Sequence, residues 1–493
     1  MSDPQSLFVV IPATLAVGEP FAVKVKVLGA VRRLESRGQF CTPKPSLHGP
    51  FNLNVERQIQ YVDNALPAWT GRLRVASEGA LRGPAEIVFD GKRQGVFPGD
   101  TRPIATFGEF AWTEPGIHFL RLEDPDSGVE AWSNPARVTA ATPARRLVWG
   151  DPHWQTFFSD GIRCPEELYA FARDEGFLDF GAISDHMEAV TDRQWDYFQA
   201  VTNDFNEPGR FATLQGQEWT HHDPRFGAPG HRNIYYRSAG GPPIRSTDPD
   251  CNTLDKLWRK LDGLDQPALA IPHHPANVMM GVDWEQGWNP KYETAVEIYS
   301  VWGSSEMPER DGNLRPIRHC NGERDGRHIR DALNRGYRLG FMGGGDVHDG
   351  RPGDARHADS YPPRGFTPYP QGLTGAWAPA LTREAVFDAI RDRRVYAATR
   401  SRILLEVQAE RAPDGIRLSL RAASEDGIRR VVSVRRSGER ELVANNDGPR
   451  VLEQPFHLPP LAPGDYLYLR IETVHGEMAW SSPFWADLLS VSK

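Results

Sequence analysis

Trp149-Gly150-Asp151-Pro152-His153-Trp154-Gln155-Thr156-Phe157-Phe158-Ser159-Asp160-Gly161 follows directly on the apolar run that begins at Leu147. A histidine, an amide and two carboxylates thus arrive within ten residues at the end of a short buried-strand pattern. Four segments downstream repeat the arrangement. Phe180-Gly181-Ala182-Ile183 runs into Ser184-Asp185-His186, and Phe211-Ala212-Thr213-Leu214 runs into Gln217-Glu218-Trp219. Ala268-Leu269-Ala270-Ile271 runs into Pro272-His273-His274-Pro275, and Leu339-Gly340-Phe341-Met342 runs into Gly345-Asp346-Val347-His348. Near-continuous apolar runs of this length suit parallel strands buried on both faces. In α/β barrels the carboxyl ends of such strands form the active-site face.

Helix patterns alternate with these runs. Pro165-Glu166-Glu167 opens one helix, since proline suits the first turn and acids complement the dipole. Others are expected over Thr253–Leu261, Arg327–Arg335 and Thr382–Arg393, the last with Val386, Phe387 and Ile390 as its apolar stripe. A further strand is expected at Ala295-Val296-Glu297-Ile298-Tyr299. Alternating β and α units make a barrel or a doubly wound sheet.

The ends of the chain read differently. Residues 1–145 are all-β in pattern: Phe21-Ala22-Val23-Lys24-Val25-Lys26-Val27 alternates as a half-buried strand does, and Pro and Gly punctuate at short intervals. A sandwich-like domain is expected there, with a linker at 140–146. From 401 to 493 the β pattern returns. The two regions echo each other: Arg121-Leu122-Glu123 precedes Ala131-Trp132-Ser133, and Arg470-Ile471-Glu472 precedes Ala479-Trp480-Ser481. A shared hairpin ending is expected. Residues 350–380, rich in Gly, Pro and Tyr, read as an ordered flap carrying Tyr361, Phe366, Tyr369 and Trp377.

Composition narrows the function. The formal net charge of −8 over 493 residues lacks the basic footprint of a nucleic-acid binder. No apolar run is long enough for a membrane span. The N-terminus has no basic segment followed by a long apolar core, so no secretory signal is expected. Cys41, Cys164, Cys251 and Cys320 form no Cys-x-x-Cys pair, and reduced thiols in a cytoplasmic protein are the expected state. Cys164 is placed at a helix start or in the core.

Each cluster alone is compatible with a structural hydrogen-bonded pair. Five of them on one face would carry heavy like-charge and desolvation costs without a cation. Imidazole with carboxylate suits Zn, Mn or Fe.

The ordered set His153, Ser159-Asp160-Gly161, Asp185-His186, Glu218, His274-Pro275 and Asp346-x-His348 resembles the PHP (polymerase and histidinol phosphatase) superfamily. Gln217-Glu218-Trp219-Thr220, Gly230-His231-Arg232-Asn233, Glu297-Ile298-Tyr299-Ser300, Arg394-Val395-Tyr396 and Ser481-Ser482-Pro483 are similar to one branch of it, a family of unknown function related to carbamate-hydrolysing PHP enzymes. The resemblance covers 146–400 and extends weakly to both β regions. It implies an α/β fold: a distorted seven-stranded (β/α) barrel flanked by sandwich-like all-β regions, with two or three divalent ions. One ion would take His153, Gln155, Glu218 and Asp346. A second would share Glu218 and take His274, and a third would take Asp160, His186 and His348. The superfamily's first motif is His-x-His, and Gln155 replaces its second histidine.

The resemblance implies a hydrolase that uses metal-activated water. His231, otherwise an extra ligand, or His222 would protonate the leaving group, and Arg232 or Arg351 would neutralise developing charge or else form a structural surface ion pair. His221 and His273 are assigned supporting roles. Three functions follow: a phosphoesterase on a small molecule, an ester, amide or carbamate hydrolase, and a metal-binding scaffold whose site has decayed. Oligomeric state is left open.

Overall fold

The computed structural model describes residues 4–35, 43–46, 49–53, 60–66, 68–161, 163–221, 229–318, 321–354 and 369–491. Its architecture is mixed α/β, with many sheets and few helices. The opening stretch lies on Arg146–Trp154 (β1), which is buried from Leu147 onward. It pairs in parallel with Phe180–Ile183 (β2), which pairs in parallel with Ala212–Thr213 (β3). Gln215–Trp219 (β4), Arg232–Tyr236 (β5) and Ala268–Pro272 (β6) form an antiparallel sheet. Ala295–Ser300 (β7) and Gly340–Gly343 (β8) pair in parallel. Leu373–Ala378 (β9) pairs antiparallel with β1 and with Val395–Ala398 (β10).

The expected alternation of strand and helix therefore holds only in part. Helices Pro165–Asp174 (α1) and Asp192–Asp204 (α2) separate the parallel strands β1, β2 and β3. Between Trp219 and Arg232 the sequence has two prolines, two glycines and no helical periodicity, and β4 and β5 run antiparallel instead. The remaining helices lie within the expected ranges or a residue beyond them: Leu254–Asp262 (α3), Ile329–Asn334 (α4) and Arg383–Arg391 (α5). Thr253 and Thr382 cap α3 and α5 by accepting from the N–H three residues on, which satisfies otherwise orphaned helix-end donors. Cys164 stands at the N-cap of α1, Cys251 is buried, and Cys41 and Cys320 lie outside the described residues.

Strand-end residues tie the pieces together at one mouth. Isolated parallel bridges join Trp154 to Val347 and His186 to Glu218. The antiparallel register places Arg232, at the start of β5, beside Trp219 and Pro272, at the ends of β4 and β6. Trp154 is fully buried, and its indole lies where a side chain at residue 181 would be, so only glycine fits on that face of β2.

In the N-terminal region Phe21–Glu35 pairs antiparallel with Ser6–Val10 and Ile104–Trp112. Val23, Val25 and Val27 are buried as the alternation predicts. Lys26 is buried as well, because its ammonium meets Glu175 at the end of α1 at 3.1 Å. The second face of this sheet is thus pinned to the centre. The C-terminal strands continue the central sheet: Tyr396 of β10 pairs with Ser481 of the strand Met478–Ser481. The echo between the two β regions is a matched hairpin, with Arg121 opposite Trp132 and Arg470 opposite Trp480. Trp377 belongs to β9 rather than to a flap, since β1 and β10 hold its strand on both sides. Tyr361 and Phe366 lie outside the described residues. Among the described residues no helix is long and apolar enough to cross a membrane.

Candidate metal centre

The mouth gathers histidines and carboxylates from seven chain segments. Glu218, with no exposed surface, is the hub. Its Oε1 lies 2.8 Å from His231 Nδ1, 3.1 Å from His186 Nδ1 and 3.4 Å from His273 Nε2. Its Oε2 lies 3.5 Å from His153 Nε2 and accepts from the Gln155 amide at 2.8 Å. His153 Nε2 is also 3.2 Å from Asp346 Oδ1. On the outer side, Asp160 Oδ1 lies 3.2 Å from His348 Nε2 and 3.4 Å from His186 Nε2. His274 Nε2 approaches Asp346 Oδ2 at 4.0 Å.

Four overlapping groups emerge whose donor atoms lie within 4.8 Å of one another: Asp160–His186–His348, His186–Glu218–His231, His231–His273–His274 and His153–His273–Glu297. The first is the set the resemblance implies for the third ion. Several donors here are buried yet make no hydrogen bond, among them His153 Nε2, both ring nitrogens of His273, His274 Nδ1 and Glu297 Oε1. Buried polar atoms are normally satisfied, so such a concentration is what a bound cation would resolve.

The backbone is shaped to deliver these groups. His274 has φ 32° and Asp346 φ 48°, left-handed conformations that non-glycine residues avoid. Gly344 lies against Glu297, and any side chain there would collide with that carboxylate. Asp185 organises the loop that carries Asp160: it accepts from Thr156 N and Oγ1 and from Ser159 N at 2.9–3.2 Å. Asp151 accepts from His153 N at 3.1 Å and Gly345 N at 2.7 Å, joining β1 to the Asp346 turn. The Trp302 indole donates to Asp346 Oδ2. Glu297 accepts from His153 Nδ1 at 3.0 Å, which leaves Nε2 facing the hub.

The charges divide into two sets. Burial opposes charge on His153, but Asp346, Glu297 and Glu218 together hold its pKa well above the ordinary imidazole value. Burial likewise opposes charge on His186 and His348, and their carboxylate neighbours outweigh it. Burial wins at His273, whose pKa falls to about 4, and at His274, which is pushed well down. These two rings are neutral, the form in which imidazole binds a metal. Burial raises Asp151 to about 8 and Asp185 to about 6, in keeping with structural roles.

Of the residues singled out in the sequence, His153, Gln155, Asp160, His186, Glu218, His231, His274, Asp346 and His348 come together. Arg232 does not serve as expected. It is fully buried, donates from Nε to Glu293 at 2.7 Å and also bonds the Pro229 carbonyl. Its charge is spent on Glu293. His222 lies outside the described residues. His221 is bound to the Asn252 carbonyl at 2.9 Å. Arg351 lines a separate cavity of about 360 Å³ with Lys26, Arg102 and Arg163. Two residues carry more than sequence reasoning gave them: His273, assigned a supporting role, and Glu297, not assigned as a ligand. A carboxylate inside the apolar run 295–299 was the available signal, since burying one without a partner is costly.

Comparison with known proteins places this geometry in context. The model of a family described as a protein of unknown function (DUF3604) matches residues 165–299 and 329–433. Uncharacterized proteins of Chlamydia trachomatis serovar D and Chlamydia muridarum are each 28% identical over 408 and 404 residues, and one of Chlamydia pneumoniae is 29% identical over 406. Each alignment covers 76% of this chain and 63% of the relative, so the chain spans less than two thirds of their length. Among solved structures, a two-domain protein from Bacteroides vulgatus containing a predicted PHP-like metal-dependent phosphoesterase is similar at a TM-score of 0.37 and 16% identity, over 70% of this chain and 98% of that one.

Proposed function

We propose that this chain is a metal-dependent hydrolase with a PHP-type centre on a distorted (β/α) barrel, acting on a small-molecule phosphoester. The observation that carries the reading is the convergence of nine His, Asp and Glu side chains in overlapping groups of ligand spacing. His153, Glu218 and Asp346 would hold one divalent ion (Zn, Mn or Fe), and His231, His273 and His274 a second beside Glu218. Asp160, His186 and His348 would hold a third. Bound there, such ions supply an acidified water and positive charge opposite a developing oxyanion. Glu218 spans the ligand groups and fixes their spacing. Glu297 orients His153, and Asp185 and Asp151 hold the loops in register. His231 sits in two of the groups, which supports the ligand role over proton donation, the two roles read for it from sequence.

Hydrolysis of a carboxylic ester, amide or carbamate is a second reading with a specific observation behind it. Arg232, the nearest candidate for gripping a phosphate, is withdrawn into its pair with Glu293.

Metal analysis of protein purified without chelator, with parallel assays on p-nitrophenyl phosphate and p-nitrophenyl acetate, tests both. Bound metal and phosphate release are expected. Metal with acetate release alone would favour the second reading. Absence of metal and of turnover would sink both, leaving a decayed scaffold.

A further inference from the structure

A second site lies at the other end of β1. A cavity of about 480 Å³ opens where Arg145, at the foot of β1, meets β9, β10 and the C-terminal strands. β1 runs nine residues from Arg146 to Trp154, so about 25 Å of strand separate Arg145 from His153. The cavity is lined by Arg394-Val395-Tyr396 and Ser481-Ser482-Pro483, two stretches that the metal centre does not use.

Its charge is opposite to that of the whole molecule. Arg137, Arg145, Arg393 and Arg394 line it against the single carboxylate of Glu406, on a chain whose formal net charge is −8. Glu406 is already shared by Arg137 at 3.0 Å and Arg421 at 3.2 Å. Arg394 is held by Asp392 at 3.0 Å and by the Trp377 carbonyl at 2.8 Å. Arg145 is exposed, and among the described residues it makes no ion pair. The Arg393 guanidinium donates from Nε to the Arg338 carbonyl at 3.0 Å and lies over the Trp485 ring at 5.7 Å.

The backbone at Arg393 is the independent observation. Residue 393 follows the C-cap of α5 with φ 58°. Arg394 N–H bonds Ala389 O at 2.8 Å and Arg393 N–H bonds Ile390 O at 3.1 Å. This is the Schellman ending, whose left-handed position favours glycine. An arginine there strains the local fold and contributes only its side chain. Non-glycine residues kept in this conformation concentrate at ligand sites.

We propose that this cavity binds a small molecule bearing a multiply charged oxyanion group, phosphate or carboxylate. Arg145 and Arg393 grip the anion, Arg394 flanks it, and the half-buried Trp377 forms the apolar wall. The volume suits a small ligand. The site lies at the amino-terminal end of the central strand, away from the face where barrel catalysis occurs, and it is a binding site rather than a second catalytic centre.

Calorimetric titration of the full, metal-replete chain with pyrophosphate, and separately with succinate, tests this. Binding of at least one anion is expected, and which one binds distinguishes phosphate from carboxylate recognition. The double variant Arg145→Ala/Arg393→Gly should weaken binding about tenfold or more. Glycine suits the left-handed backbone at 393, so the fold persists. Glu218→Ala, which disables the metal centre, should leave binding unchanged. Failure of both anions to bind, binding in the Glu218→Ala background that survives the double variant, or binding lost in Glu218→Ala would each overturn the proposal.

Discussion

Two buried ionic clusters in this molecule solve the same electrostatic problem in opposite ways. At the seam between the central and C-terminal strands, Glu306 is 1% exposed. Its Oε1 accepts from Tyr468 at 2.6 Å, Arg330 at 2.8 Å and Arg470 at 2.9 Å, and its Oε2 accepts from Trp480 at 2.8 Å. Burial works against this carboxylate, but Arg470 and Arg330 hold it ionised, with a pKa of about 2. The mouth around Glu218 is as deeply buried and richer in ionisable groups, yet His153 Nε2, His273 and Glu297 Oε1 are left without hydrogen bonds. A cluster that neutralises itself from within the chain is structural. One that leaves converging donors without hydrogen bonds is of the kind that could hold a metal ion.

The contrast yields separable outcomes. Glu218→Ala removes the one carboxylate that touches four rings of the mouth. Turnover should fall about 10³-fold or more, with loss of bound metal by elemental analysis. Stability should fall by less, since histidines deprived of Glu218 can shed their protons and arginines cannot. Glu306→Ala should do the reverse. It takes from Arg330 and Arg470 the buried one of two carboxylates they share and leaves them Glu439, which costs about 3 kcal/mol in denaturant unfolding, while metal content stays intact. Equal stability losses in the two variants would erase the distinction.

Acid should expose the same difference. The folded-state pKa of Glu306 is depressed from 4.5 to about 2, so its stabilisation is complete above 4.5 and is lost as pH falls through about 2. The shift corresponds to about 3 kcal/mol. Unfolding free energies compared at neutral pH and near pH 3 should fall more steeply in the native protein than in Glu306→Gln. Parallel curves would show that the arginines do not hold this carboxylate as the contacts indicate.

How far this was legible in the sequence follows from what each feature depends on. The strand-end clusters were readable because an apolar run and the polar residues that terminate it are local. Asp160, His186 and His348 converge as their motifs imply. The antiparallel turn of β4 into β5 was not anticipated, because it depends on a helix failing to form between them. Arg232 was misjudged for a different reason: its partner Glu293 lies 61 residues away, and nothing near Arg232 announces it. That His273 lies in the mouth beside His274 was not legible, because the left-handed backbone at His274 is invisible in a His-His pair.

Gln155 is where the two kinds of cluster meet, and it gives the finest test. Its Nε2 donates to Glu218 at 2.8 Å while its Oε1 accepts from Ser159 Oγ at 2.7 Å. So arranged, the amide behaves like the Glu306 partners: it satisfies a carboxylate from within the chain and turns its oxygen to Ser159 rather than to the hub. The opposite orientation would put its oxygen against Glu218, an arrangement that requires a cation between them. Gln155→His restores a ring nitrogen at that place. If the amide is a hydrogen-bond donor, the variant should hold one ion more tightly by about tenfold, a first-sphere gain at the lower end of what site changes produce. Metal retained per chain after dialysis against graded chelator reads this directly. Ser159→Ala, which frees the Gln155 oxygen to turn inward, should shift retention in the same direction by less. Unchanged retention in both would mean that the amide already serves as a ligand, and that the mouth is more self-sufficient than its unmet donors suggest.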